Sequence, residues 1–249
     1  MPQRGTSAHL IPVLLASLTN PDVFEPVSYL FTLMRFQTLR EVRWILLVLF
    51  VLIAISIRIN SWLNIIWTAL ILGTLYFFRD PNRNTPSDSG AIVAAADGRI
   101  VCIDETFESE VLKAVATRVA IFLSVFDVHV NRAPIDGEIT CLLSHPGRFL
   151  DARHPDATRE NAYKTWAFRN PQATLVVRQI AGAVARRTIA WSKVGDEVRK
   201  GERFGMIRFG SRTEVYLPID CKITVSIGDR VKAGETVIAK FRSNEPIAS

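Results

Sequence analysis

Two long uncharged apolar runs stand in the first third of the chain. Residues 44–57 read WILLVLFVLIAISI and residues 62–78 read WLNIIWTALILGTLYFF, with only Arg58-Ile59-Asn60-Ser61 between them. A helix rises ~1.5 Å per residue and a bilayer core is ~30 Å thick, so a full crossing needs ~20 residues. The first run is short and the second nearly sufficient once flanking residues snorkel. The connection is too short to cross anything, so the pattern predicts a membrane-associated helical hairpin over residues 44–80. Trp44, Trp62, Tyr76 and Phe78 sit near the run ends, as interfacial aromatics do. Arg35, Arg40 and Arg43 precede the pair and Arg79 and Arg83 follow it, which places both ends on the cytoplasmic side. The pair starts too far in for a cleavable signal and lacks a small-residue cleavage site. A buried hairpin of a soluble core and a shallow re-entrant hairpin remain alternatives. Residues 1–43 form an N-terminal extension of mixed apolar pattern, compatible with an interfacial helix or with poor order.

From residue 81 the texture changes. A polar stretch, NRNTPSDSG, leads into short runs rich in Val, Ile and Thr and broken by Gly, Asp, Asn or Pro. AIVAAADGRIVCID, RVAIFLSVFDVHV, GEITCLLS, ATLVVRQI, TEVYLP and TVIAKF are the clearest. Weak helix is expected only at ENAYKTW and near Gly182. An internal repeat stands out: Val194-Gly-Asp-Glu-Val-Arg-Lys-Gly-Glu returns as Ile227-Gly-Asp-Arg-Val-Lys-Ala-Gly-Glu. Gly-Asp makes a tight turn into a strand, and the second Gly makes the next turn. Barrel-sandwich modules such as lipoyl carriers use such turns, but no acceptor-Lys hairpin is present. The expected fold is therefore mostly β: a barrel-sandwich-like domain over residues 81–249 with a hammerhead repeat, preceded by the apolar hairpin.

Composition narrows the field. The 249 residues are 49% hydrophobic and 22% charged, which excludes disordered or low-complexity chains. Cys102, Cys141 and Cys221 lie far apart, so neither a disulfide framework nor a Cys-rich metal site is indicated. Mean hydropathy is +0.19 and net charge +6. A basic chain with an apolar end suits an anionic membrane surface as readily as nucleic acid. Of the four histidines, His129 ends an apolar β run, with Asp127 and Arg132 nearby, while His145 and His154 lie in a turn-rich loop without metal-ligand spacing. Alone, His129 reads as a core or rim residue, Asp97 in AAADGRI as a turn, and Ser211 in RFGSRTEVYLP as a commonplace Gly-Ser turn. No GxSxG elbow, phosphate loop or kinase signature occurs.

Taken in order, FFRDPNRNTP, AADGRI, FLSVFDVHVNRAPIDGEI, SHPGRFLDA with ENAY, and RFGSRTEVYLP resemble the phosphatidylserine decarboxylases of the short bacterial or archaeal type, from about residue 77 to residue 241. The resemblance implies a proenzyme. Ser211 Oγ would attack the carbonyl of Gly210, giving an ester by an N-to-O acyl shift. β-Elimination would release residues 1–210 and leave dehydroalanine at 211, which hydrolyses to a pyruvoyl group with loss of ammonia. Glycine before the serine tolerates a strained backbone most cheaply. The pyruvoyl ketone would condense with the serine amine of the lipid and accept the electrons of the breaking C–CO₂ bond, giving phosphatidylethanolamine and CO₂. Chains 1–210 and 211–249 would remain together as a heterodimer.

By the same resemblance Asp97 is the acidic member, His129 the histidine member and Ser211 the nucleophile. Long-form relatives carry HxxH where this chain has His129-Val-Asn-Arg132, and an arginine cannot act as a base. His129 then serves both self-cleavage and decarboxylation, or Asp97 takes part of the first. Arg132 and His145 are candidate contacts to the substrate, Arg132 as a bidentate clamp or merely as one half of an ion pair. No metal or nucleic-acid partner is implied. A membrane-anchored barrel-sandwich adaptor, a serine hydrolase using Asp97, His129 and Ser211, and the same chemistry on an ether-linked serine phospholipid are the competing readings.

Overall fold

A computed structural model describes residues 35–60, 62–154, 156–183, 188–208 and 211–242. Two compact units divide at residues 81 and 82. The expectations for residues 1–34 lie outside the described residues.

The first unit holds α1 (Phe36–Ile59) and α2 (Trp62–Phe77). α1 begins eight residues before the uncharged run. Its start is set by Thr38, whose Oγ1 accepts the Arg35 N–H at 3.2 Å and donates to the Arg35 carbonyl at 2.9 Å. Asn60 turns extended (φ −159°) and ends the helix. Its side chain accepts the Trp62 N–H at 3.0 Å and so opens α2. Ser56 donates to the Asn64 side chain between the helices. The unit turns Trp44, Phe50, Ile57, Trp62 and Ile65 outward, an arrangement costly in water and natural in lipid. By length and composition α1 can cross a membrane, whereas the 16 residues of α2 fall short of a full crossing.

The second unit is mostly β. Its long strands are β2 (Gly98–Glu108), β3 (Ala114–Leu123), β5 (Gly137–His145), β6 (Tyr163–Arg169), β7 (Thr174–Ile180) and β11 (Ser211–Leu217). Shorter ones are β1 (Ala91–Val93), β4 (Val130–Arg132), β8 (Thr188–Ala190), β9 (Glu197–Val198), β10 (Arg203–Ile207), β12 (Lys222–Ile223), β13 (Arg230–Val231) and β14 (Val237–Lys240). Among the described residues they form an antiparallel curled sheet in the order β13-β2-β3-β11-β7-β6-β5-β9, with small sheets β1-β14-β12 and β4-β10-β8. ENAYKTW, expected as weak helix, is mainly β6. Only the turn α3 (Ala157–Glu160) precedes it, because Thr165, Trp166, Ala167 and Phe168 are all buried and favour the pleated surface.

The sequence repeat is a structural repeat. Each copy contributes an edge strand of the large sheet, β9 from the first and β13 from the second. Gly195 N–H donates to the Ile139 carbonyl and Gly228 N–H to the Ile100 carbonyl, both at 2.8 Å. The second glycines donate to Ala133 and Ala94, at 2.8 and 2.9 Å. Gly98 and Gly137 carry φ near +150°, and a Cβ there would meet a carbonyl oxygen at 2.1 and 2.2 Å. The inner face of the sheet holds the core: Ile100, Val119, Ile121, Trp166, Phe168, Val177, Phe204 and Val215. Phe204 meets Trp166 and Phe168 edge-on, at 4.9 and 5.0 Å between centroids.

Candidate active site

β11 enters between β3 and β7, with every residue from Ser211 to Leu217 buried. Ser211 opposes Leu123, the last residue of β3. Its hydroxyl is buried and has no hydrogen-bond partner among the described residues. Such a group costs stability, so its retention points to a use. Gly210, the expected other half of the scissile bond, lies outside the described residues.

The chain leaves Leu123 through a tight turn. Asp127 N–H donates to the Ser124 carbonyl at 3.0 Å, and the Asp127 carboxylate accepts the Ser124 N–H at 2.9 Å and its hydroxyl at 2.6 Å. His129 follows, fully buried, its Nδ1 2.8 Å from the Asp127 carbonyl. A carbonyl only accepts, so Nδ1 carries the proton of the neutral ring and Nε2 keeps its lone pair. The His129 carbonyl accepts the Ile207 N–H at 3.1 Å, and Val130 opposes Met206. Ser211 and His129 therefore lie on elements joined directly: the segment ending β3 and opening β4 pairs with β11 on one side and β10 on the other.

A buried polar chain locks this junction. Trp166 Nε1 donates to Gln179 Oε1 at 2.8 Å, and Gln179 Nε2 donates to Asn131 Oδ1 at 2.7 Å. Asn131 Nδ2 donates to the Ala95 carbonyl at 3.1 Å and to Thr213 Oγ1 at 3.2 Å. It thereby ties the residue two beyond His129 to the residue two beyond Ser211, on the same face of β11. Asn131, Thr213, Gln179 and Asp127 were not singled out as site residues from the sequence. The only signal was Asn131 inside HVNR and Asp127 two residues before the histidine.

Asp97 immediately precedes β2 and meets the second repeat copy. Its carboxylate receives Arg83 at 2.9 and 2.8 Å and the Ala233 N–H at 2.8 Å. Arg83, expected as a flank of the membrane segment, thus spends its guanidinium on Asp97. Burial pushes the Asp97 carboxyl above the usual carboxylate range, opposed by the Arg83 charge and the Ala233 N–H, with the nearby Asp127 charge adding to the rise. Against the first copy, Asp136 accepts the Lys200 N–H at 2.9 Å in the matching place. The Ala233 contact is therefore architecture, and the Arg83 fork is what distinguishes Asp97.

The two tentative substrate contacts lie elsewhere. Arg132 is buried, its Nη1 donating at 2.9 Å to the Gly201 carbonyl in the first repeat turn. His145 opposes Tyr163 and stacks on it at 4.5 Å, with Nε2 3.4 Å from Glu110. It stands on β5, separated from β11 by β6 and β7.

The fold and site together define a mostly β protein, preceded by an apolar helix pair, with a buried serine and a histidine whose Nδ1 faces a backbone carbonyl. The family model for phosphatidylserine decarboxylase matches residues 71–239, and the chain belongs to that family. It is 42% identical over 191 residues to the phosphatidylserine decarboxylase proenzyme of Syntrophus aciditrophicus, covering 76% of this chain and 90% of that one. It is 41% identical over 204 residues to the phosphatidylserine decarboxylase proenzyme of Carboxydothermus hydrogenoformans, covering 82% and 96%.

Proposed function

We propose that this chain is a proenzyme that cuts itself between Gly210 and Ser211 and then decarboxylates phosphatidylserine to phosphatidylethanolamine. The observation that carries the reading is the buried Ser211 hydroxyl at the head of β11, without a hydrogen-bond partner among the described residues, on a strand whose neighbouring segment presents His129. His129, with Nδ1 held by the Asp127 carbonyl, takes the hydroxyl proton at Nε2. The hydroxyl attacks the Gly210 carbonyl, and the C–N bond breaks as the ester forms. Loss of the Ser211 α-proton then expels the Gly210 carboxylate.

The site suits a pyruvoyl group at position 211. The serine that would become it has no hydrogen-bond partner to lose among the described residues, and β11 keeps its place through strand pairing on both sides. When formed, that group supplies an electron sink for the breaking C–CO₂ bond. Asn131 and Thr213 hold the two reacting elements in register, and burial of the junction excludes water. His129 is the group to return a proton to the substrate α-carbon. Asp97, engaged by Arg83, braces the segment at 94–97 against β4 through the Ala95 carbonyl. A site at the cytoplasmic surface of the membrane fits the apolar helices and their flanking arginines.

Family membership favours this reading over the adaptor and the hydrolase. The head-group chemistry is the same for ester- and ether-linked lipids. The test is the intact mass of purified protein. Two chains, 1–210 and 211–249, with a pyruvoyl blocking the smaller one, are expected. A single full-length chain in a preparation that releases CO₂ from phosphatidylserine would overturn it.

A further inference from the structure

The segment joining Ser211's partner Leu123 to His129 has a second feature that catalysis does not use. The tip of its turn is Val125-Phe126, with Val125 44% and Phe126 71% exposed. Phe126 is the most exposed large apolar residue described in the β unit. Ile219, 59% exposed, sits in the turn after β11 without a second exposed large apolar residue beside it, and others are placed differently. Phe107 and Val115 face each other across the far end of the β2–β3 pair, and Val194 and Ile227 begin the repeat turns. Two adjacent apolar side chains at the tip of a polar, hydrogen-bonded turn are costly in water. Ser124 and Asp127 close the turn beneath them and hold the tip outward. At the same end of β3 the guanidinium of the exposed Arg153, paired with Asp151 at 2.6 Å, is 5.9 Å from the ring of Phe122, which adjoins Leu123.

We infer that the turn at 124–127 is a membrane-docking wedge, with Val125 and Phe126 inserted among the acyl chains of a lipid bilayer beside the catalytic junction. This deepens the reading above and rests on it in one respect: a diacyl substrate keeps its chains in the bilayer, so the site must come to the surface. The same turn supplies the carbonyl that fixes His129. Docking at the wedge thus brings Ser211 and His129 to head-group depth. Two exposed apolar side chains at a turn tip beside the site are the chemistry that the acyl layer of a lipid surface takes.

The experiment uses the full-length protein in vesicles of phosphatidylcholine and phosphatidylglycerol containing a phosphatidylcholine with a diazirine on one acyl chain. Photolabelled peptides are mapped by mass spectrometry. A Val125→Ser/Phe126→Ser double variant is compared with wild type on vesicle phosphatidylserine and on monomeric dihexanoyl phosphatidylserine. Label on the peptide holding Val125 and Phe126, with vesicle turnover reduced about tenfold or more and monomer turnover unchanged, is expected from removing two apolar insertions. Label confined to residues 36–77, with normal vesicle turnover in the variant, would overturn the wedge. Equal loss on both substrates would overturn it too, since the tip would then act on site geometry. Labelled wedge peptide in a wild-type chain that neither cleaves nor decarboxylates would uphold the wedge and remove the decarboxylase reading.

Discussion

The carbonyl of His129 accepts the N–H of Ile207, while Ser211, a little further along, stands opposite Leu123. The chain on both sides of the expected cut is thus pinned to one short segment, 123–129. Neither pin depends on the Ser211 side chain. Ser211→Ala should therefore fold, remain a single full-length chain and release no CO₂. Ser211→Cys should cleave slowly, because a thiol can make the same acyl shift. A denaturing gel time course and intact mass distinguish them, and turnover by the alanine variant would move the chemistry to another residue.

His129→Ala should accumulate as uncut precursor. The Asp127 carbonyl leaves Nε2 as the basic nitrogen, and HxxH relatives have a second histidine where this chain has Arg132, itself buried on the Gly201 carbonyl. Asp97→Asn should slow cleavage several-fold and leave already processed enzyme partly active, since its carboxylate serves Arg83 and Ala233. Normal cleavage with lost CO₂ release in His129→Ala would confine the histidine to reprotonation.

The polar chain through Asn131 gives a sharper test of positioning. Asn131→Leu strands Gln179 Nε2 and Thr213 Oγ1 in the core, a loss of ~1–3 kcal/mol for each buried group left unmet. Cleavage should slow by more than the fall in stability explains, because β4 and β11 lose their shared clasp. Gln179→Glu keeps the acceptor toward Trp166 but cannot donate to Asn131, so it should slow cleavage as well. Urea melts alongside cleavage rates separate the two effects.

Strand character from Ala91 to Lys240 was legible in Val, Ile and Thr runs. The repeat was legible too, because its Gly and Asp positions are fixed by turn geometry, and Ser211 and His129 were singled out through motif order. Pairing between distant strands was not. Nothing local says that Asn131 meets Gln179, or that Arg83 leaves the membrane flank for Asp97, since such contacts arise only when the sheet closes. Thr38 likewise advanced the first helix beyond its uncharged run, a local capping signal hidden among arginines.

Alkaline pH should weaken the outer face of the sheet. Burial first, then the hydrogen bond to Glu110 at 2.6 Å, pushes the Tyr163 phenol up to about 12. A phenol with a raised value binds its proton more tightly in the folded state. That stabilisation is complete below the unfolded value of about 10 and is lost as pH rises through about 12. Melting temperature followed over this window should fall less steeply in Tyr163→Phe than in wild type. Identical profiles would show that Tyr163 does not carry the effect.

In the proposed two-chain product no covalent link would hold the smaller chain, and Glu214 is the residue on which its retention would turn. It is fully buried in the middle of β11. Its carboxylate accepts the Thr158 hydroxyl and the Tyr216 hydroxyl, each at 2.7 Å, and lies 2.9 Å from Arg212 Nε and 3.6 Å from Arg118. Thr158 and Arg118 would belong to the larger chain, so Glu214 would join the two products through charge as well as strand pairing. Removing one partner of a buried pair costs ~3–5 kcal/mol, because the other charges stay buried. Glu214→Ala should lower the urea midpoint strongly and release chain 211–249 from processed protein on size-exclusion chromatography. Arg169→Gln, which breaks an exposed pair with Glu138, should cost under ~1 kcal/mol and release nothing. If Glu214→Ala and Arg169→Gln lose the same small amount, strand pairing alone holds the smaller chain.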